Sequence, residues 1–101
     1  MNKQDYIGKV VISSNTKKRY ILTKIHATYI SVDSEKLNQY GTRSSYMFKN
    51  DNEDPFTSGD LYFEDLTRNE RFKKEYKEYC FSKEGGSEAY MYWMLTGDWL
   101  A

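Results

Sequence analysis

The first half of the chain carries its apolar residues in short runs with strand character. Tyr6-Ile-Gly-Lys-Val-Val-Ile12 is β-branched and ends at Ser13-Ser-Asn-Thr-Lys-Lys18, a polar tract whose side chains favour a turn. Arg19-Tyr-Ile-Leu-Thr-Lys-Ile25 returns as the second arm of a hairpin. Ala27-Thr-Tyr-Ile-Ser-Val-Asp33 alternates with period two, setting Thr28, Ile30 and Val32 on one face and Tyr29 and Ser31 on the other. A fourth strand is predicted over Thr42–Lys49, where Tyr46 and Phe48 share a face, and a short fifth over Leu61–Glu64. Between them Asn50-Asp-Asn-Glu-Asp-Pro55 reads as a loop, because proline gives no ladder donor.

The period then changes. Thr67-Arg-Asn-Glu70 has the spacing of a capping box, and Phe72, Tyr76, Tyr79 and Cys80 follow at i, i+4, i+7 and i+8, one apolar stripe of a helix. Gly85-Gly86 interrupts it. Ser87 can cap a second helix over Glu88–Thr96, ended by Gly97 and apolar on nearly every side. The expected fold is α+β: a small curled antiparallel sheet of about five strands followed by two packed helices. It forms a single domain over residues 1–101, with a sheet part at 1–65 and a helical part at 66–101.

Composition changes the picture of the core. Seventeen residues are aromatic against fourteen Val, Ile and Leu, so the core must be built largely on rings. Phe72, Tyr76, Tyr79, Tyr90, Trp93 and Met94 are expected to join helices to sheet, leaving Tyr20, Tyr29 and Trp99 for a partner. The longest apolar run, Ala89–Leu95, falls far short of the roughly 20 residues that cross a bilayer. No secretory signal is apparent at Met1–Asp5, and the lone Cys80 fits a reducing compartment, so a cytoplasmic location is expected. The wealth of Lys, Asn, Tyr and Ile hints at a low-GC bacterium or its phages.

Net charge is zero, but it is divided. Residues 1–49 hold nine Lys and Arg against three Asp and Glu, and residues 50–101 hold six against twelve. The basic half gathers Lys17, Lys18 and Arg19 at a hairpin tip, with Lys9, Lys24 and Arg43 in neighbouring strands and Tyr20 and Tyr29 nearby. Such a set joins phosphate-seeking charge to rings on which bases stack. The acidic half gathers Asp51, Glu53, Asp54, Asp60, Glu64 and Asp65 within fifteen residues free of Lys and Arg, a patch that could dock on a basic partner.

Chemistry-bearing constellations are scarce. His26 and Cys80 are the sole histidine and cysteine, too few for a zinc site and without an orienting third group for a nucleophilic pair. The acidic loop lacks the glycine and glutamate of an EF-hand, and no glycine-rich phosphate loop occurs. No enzyme, metal or cofactor is expected.

Ile7-Gly-Lys-Val-Val11, the polar turn, Arg19-Tyr-Ile-Leu22 and Ile25 resemble the first hairpin of SH3-like small barrels, including KOW- and Tudor-type modules. That resemblance covers residues 6–33 and implies a small curled sheet used for binding. Two functions are expected, the first from the split charge, the short length and the lack of a catalytic set, the second from the basic hairpin of the SH3-like resemblance. The first is a non-enzymatic protein that acts by protein–protein contact, as a mobile-element inhibitor of a host nucleoprotein of the anti-CRISPR kind. The second is an SH3-like nucleic-acid-binding module working through the basic hairpin.

Overall fold

The computed structural model describes residues 1–50 and 54–82. A 3-10 turn at Lys3–Asp5 leads into strands β1 (Val10–Ser13), β2 (Arg19–Ile25), β3 (Tyr29–Ser34), β4 (Ser45–Lys49) and β5 (Leu61–Phe63), and then helix α1 (Thr67–Cys80). The strands form one open antiparallel sheet in the order β4-β3-β2-β1-β5, so the last strand returns beside the first. The architecture is thus α+β. The second helix expected at Glu88–Thr96, with Tyr90, Trp93, Met94 and Trp99, lies outside the described residues, as do Asp51 and Glu53. Among the described residues no helix is long and apolar enough to cross a membrane.

The first strand starts later than the alternation predicts. Gly8 adopts φ +87°, a backbone that residues with a Cβ rarely take, and regular pairing begins only after it. This bend turns Tyr6 inward, where its fully buried ring meets Phe72 edge-on at 4.9 Å and Phe63 at 5.8 Å. The Tyr6 hydroxyl donates to Glu75 Oε2 at 2.6 Å and accepts from Arg71 Nε at 2.8 Å, fastening the N-terminal segment to the helix. Burial first, and then the Glu75 bond, raises the pKa of that phenol.

The register also explains a break in the alternation of β2. Leu22 and Ile25 are three residues apart, yet both are buried, because the pairing with β3 shifts between Leu22 and Lys24. The extra residue resets the period and increases the local twist. The buried face carries Val11, Leu22, Ile25, Ile30, Val32 and Phe63, and α1 brings Phe72, Tyr76, Tyr79 and Cys80 to the same core. Each buried phenylalanine contributes about 1.5–3 kcal/mol of hydrophobic stabilisation. Opposite this face Val10, Ile12, Ile21 and Tyr62 are only half-buried.

The helix start is built differently from the predicted capping box. Thr67 is the first helical residue, and its hydroxyl and backbone N–H both donate to Asp65 Oδ1, at 2.7 and 3.2 Å. Glu70 instead pairs with Lys73 at 3.4 Å. The carboxylate two positions upstream reaches the free N–H, so the Thr67–Glu70 exchange is not needed. The Thr67 bonds hold the Asp65 pKa below its ordinary value.

Asn69 then ties the first turn to the sheet edge. Its Oδ1 accepts from Phe63 N at 2.9 Å, and its Nδ2 lies 3.3 Å from Leu66 O. Asn69→Ala leaves the Phe63 N–H without that acceptor and should cost about 1–2 kcal/mol in urea unfolding, whereas Asn69→Asp, which keeps an acceptor, should cost less. Equal losses for the two variants would show that the β5 contact is not what Asn69 contributes.

Candidate functional site

A cleft of about 400 Å³ opens where the β1–β2 turn meets the end of β3, lined by Lys17, Lys18, Arg19, Tyr20, Ser34, Glu35, Lys36 and Tyr46. The turn is sharp. Lys17 N donates to Ser13 O at 2.8 Å and Ser13 N donates to Lys18 O at 3.0 Å, with Lys17 at φ +60°. That left-handed conformation is uncommon for a residue with a side chain. It carries the Lys17 ammonium to the half-buried face, 5.8 Å from the centre of the Tyr62 ring.

Two tyrosines form the aromatic wall of the cleft. Tyr20 and Tyr46 meet edge to face with centroids 5.4 Å apart. Tyr20, expected to be free for a partner, is only 9% exposed, while Tyr46 on the outer strand β4 is 47% exposed. The available ring is therefore Tyr46. Its period-two relation to Phe48 places it on the buried face, but its position on an outer strand leaves it open, a placement that needs the sheet order to see.

The cations sort into engaged and unengaged groups. Arg19 Nε donates to both Glu35 oxygens at 3.1 and 3.2 Å, and its Nη1 pairs with Glu64. Arg43 Nη1 donates to the carbonyls of Ser34 at 3.1 Å and Glu35 at 2.6 Å and so holds the rim in shape. Ser34 completes that rim, donating to Lys36 O and accepting from Ser44 N, both at 2.9 Å. Lys17, Lys18 and Lys36 form no ion pair among the described residues. Lys9 is on the approach to β1, and its charge acts on Asp65. Lys24 and Tyr29 belong to the far end of the sheet.

The acidic set is dispersed by the same packing. Asp54 is 7% exposed and directed inward, its carboxylate accepting from Phe56 N at 3.0 Å, Thr57 N at 2.9 Å and the Thr57 hydroxyl at 2.6 Å. Glu64 is taken by Arg19, and Asp65 by Thr67 and by Arg68 at 2.6 Å. Asp60 is exposed, and its carboxylate has no hydrogen bond among the described residues.

At the far end α1 meets the β2–β3 hairpin, a juxtaposition the sequence spacing does not reveal. Tyr76 donates its hydroxyl to His26 O and accepts from Asn50 Nδ2 at 2.6 Å, while Asn50 Nδ2 also donates to Ala27 O at 2.9 Å. Burial pushes the Tyr76 phenol far above its ordinary range, so it remains a donor. The Cys80 thiol is buried and lies 3.6 Å from Ala27 O, whereas the His26 ring is turned to Thr28 and Tyr29. The helix thus brings the two residues to one region with their side chains directed to different partners. No group of three or more His, Cys, Asp or Glu suited to a metal ion occurs among the described residues.

His26 Nδ1 accepts from Thr28 N at 3.2 Å, which places the proton of the neutral ring on Nε2. Burial first, then the charges of Lys24 and Lys3, lowers its pKa from the ordinary 6.5. The unfolded chain therefore takes up this proton before the folded one does. The associated stability is present above 6.5 and declines as pH falls through the lower folded value. An NMR titration should place the midpoint below 6.5, and Lys24→Ala should move it upward. A midpoint at the ordinary value would contradict the burial of the ring and the influence of the two lysines.

No protein-family model, curated protein or solved structure matches this chain.

Proposed function

We propose that the protein is a non-enzymatic binding module of SH3-like type that holds single-stranded nucleic acid in the basic and aromatic cleft. One observation carries the reading: Lys17, Lys18 and Lys36, none in an ion pair among the described residues, line one cleft with a pair of tyrosines of which Tyr46 is half exposed. Lysines supply sequence-independent attraction to phosphates, and an exposed ring offers a face to any base. Support for the SH3-like element comes from the sheet, whose last strand lies beside its first and whose second strand bends at a register shift. Both features suit a small sheet that curls. The reading is tested by fluorescence anisotropy with a labelled oligothymidylate across a salt series. Measurable binding at about 50 mM salt that weakens steeply as salt rises is expected, and no binding there overturns it.

A second reading, protein contact by an inhibitor of a host nucleoprotein of the anti-CRISPR kind, draws on the opposite sheet face. There Val10, Ile12, Ile21 and Tyr62 are half-buried and Met47 is 57% exposed, with the exposed Asp60 on the loop before β5. Capture of one host protein that survives nuclease treatment, and is lost in Met47→Asp, would favour it over the nucleic-acid reading.

A further inference from the structure

The hairpin joining β2 to β3 carries a second cationic and aromatic cluster at the far end of the sheet from the cleft. The rings of His26 and Tyr29 are stacked, with centroids 4.7 Å apart and planes 20° from parallel. Lys24 Nζ sits 5.3 Å from the centre of the Tyr29 ring, and Lys49 is the register partner of Tyr29 on β4. The pair is held from several directions. His26 N donates to Tyr29 O at 3.0 Å, Nδ1 is fixed by Thr28, and Tyr76 grips the His26 carbonyl from the helix. His26 is exposed, so this fixed stack has a side open to solvent.

Its position relates it to the cleft. Lys18 and Lys24 are six residues apart along extended chain, about 20 Å at roughly 3.3 Å per residue. Tyr29 belongs to the half-buried face, to which Lys17 is also carried over Tyr62, whereas Tyr20 and Tyr46 stand on the buried face, so a strand passes from the cleft to this pair by way of the Lys17 side of the turn. At a stacked rise of about 3.4 Å per nucleotide, some six nucleotides cover the interval, and fewer do so when the strand is extended.

We propose that the His26–Tyr29 pair is a second contact point for the same nucleic-acid strand, a platform on which one base stacks while Lys24 and Lys49 meet its phosphates. The assignment rests on the cleft being a nucleic-acid site. It adds a polarity of engagement along β2 and a minimum ligand length: a short oligonucleotide fills the cleft alone, and a longer one fills both.

The experiment compares wild type with Tyr29→Ala, His26→Ser and Lys24→Ala, using oligothymidylates of about three and about twelve nucleotides in the same anisotropy assay. Loss of one stacked base corresponds to roughly a fivefold to hundredfold weakening, so Tyr29→Ala and His26→Ser should weaken the long ligand by that factor and leave the short one within about twofold. Tyr29→Phe, which keeps the ring, should retain wild-type affinity. The long ligand should also shift the His26 ring signals in NMR spectra, and the short one should not. Unchanged long-ligand affinity in the exposed-site variants His26→Ser and Lys24→Ala overturns the platform even where Tyr29→Ala folds poorly. Wild type binding both ligands equally overturns the platform while preserving the cleft; wild type binding neither overturns both.

Discussion

Phe72→Ala is expected to lower folding stability by about 3–5 kcal/mol. The Phe72 ring is fully buried and stands at the centre of an aromatic cluster, with centroid distances of 4.4 Å to Phe56, 4.9 Å to Tyr6, 5.1 Å to Phe63 and 5.4 Å to Tyr76. These neighbours come from the N-terminal segment, the loop before β5, β5 itself and α1. Planar rings anchored on four separate segments close poorly over a void, so the cavity cost adds to the lost transfer energy. A domain of this size has a total stability of about 5–15 kcal/mol, so the variant should unfold early in urea. Its melting temperature should fall by roughly 4–8 °C for each kcal/mol lost. A loss below about 1 kcal/mol would mean that the helix is not seated on this cluster.

The combined variant Lys17→Gly, Lys18→Ala, Lys36→Ala is expected to abolish most nucleic-acid binding while leaving the fold intact. Glycine is chosen at position 17 because the φ of +60° there suits it better than alanine. For single strands each neutralised phosphate contributes about 0.7 to the slope of log affinity against log salt, so removing three contacts should flatten that slope by about 2. Arg19→Ala is a useful contrast. It frees Glu35 and Glu64 from their shared partner, so its effect should appear as added local negative charge as well as one lost cation. A salt slope unchanged in the triple variant would place the nucleic-acid contact elsewhere, and a loss of cooperative unfolding would mean that these lysines are structural.

Much of the sheet is legible in the sequence because a half-buried strand must alternate, and Ile30 and Val32 on one side with Tyr29 and Ser31 on the other leave one sensible register. The onset of α1 is legible for the related reason that Phe72, Tyr76 and Tyr79 repeat at helical spacing. What escapes is set by contacts distant along the chain. Arg19 reads as a free cation until Glu35 and Glu64 are seen beside it, and Asp54 reads as surface charge until the turn at 54–58 folds around its carboxylate. Tyr20 and Tyr46 show the same limit. Both lie on the buried side of their strands, and only the order β4-β3-β2-β1-β5, with β4 outermost, decides which ring reaches solvent. The cleft is therefore half legible: the turn lysines stand out by composition, but Lys36 and Tyr46 join them only through the sheet.

The Tyr76 hydroxyl has a consequence for the order in which the molecule can open. It donates to His26 O and accepts from Asn50, linking the last turns of α1, the β2–β3 hairpin and the residue that follows β4 through one buried oxygen. A hairpin end is ordinarily among the first places to fray. Here fraying at Ala27 and Thr28 exposes both bonding partners of a phenol sealed in the core, so the hairpin and the helix C-terminal turns behave as one cooperative unit. Amide protons at this end should exchange with solvent on the timescale of that joint opening, while those of the exposed β1–β2 turn exchange sooner.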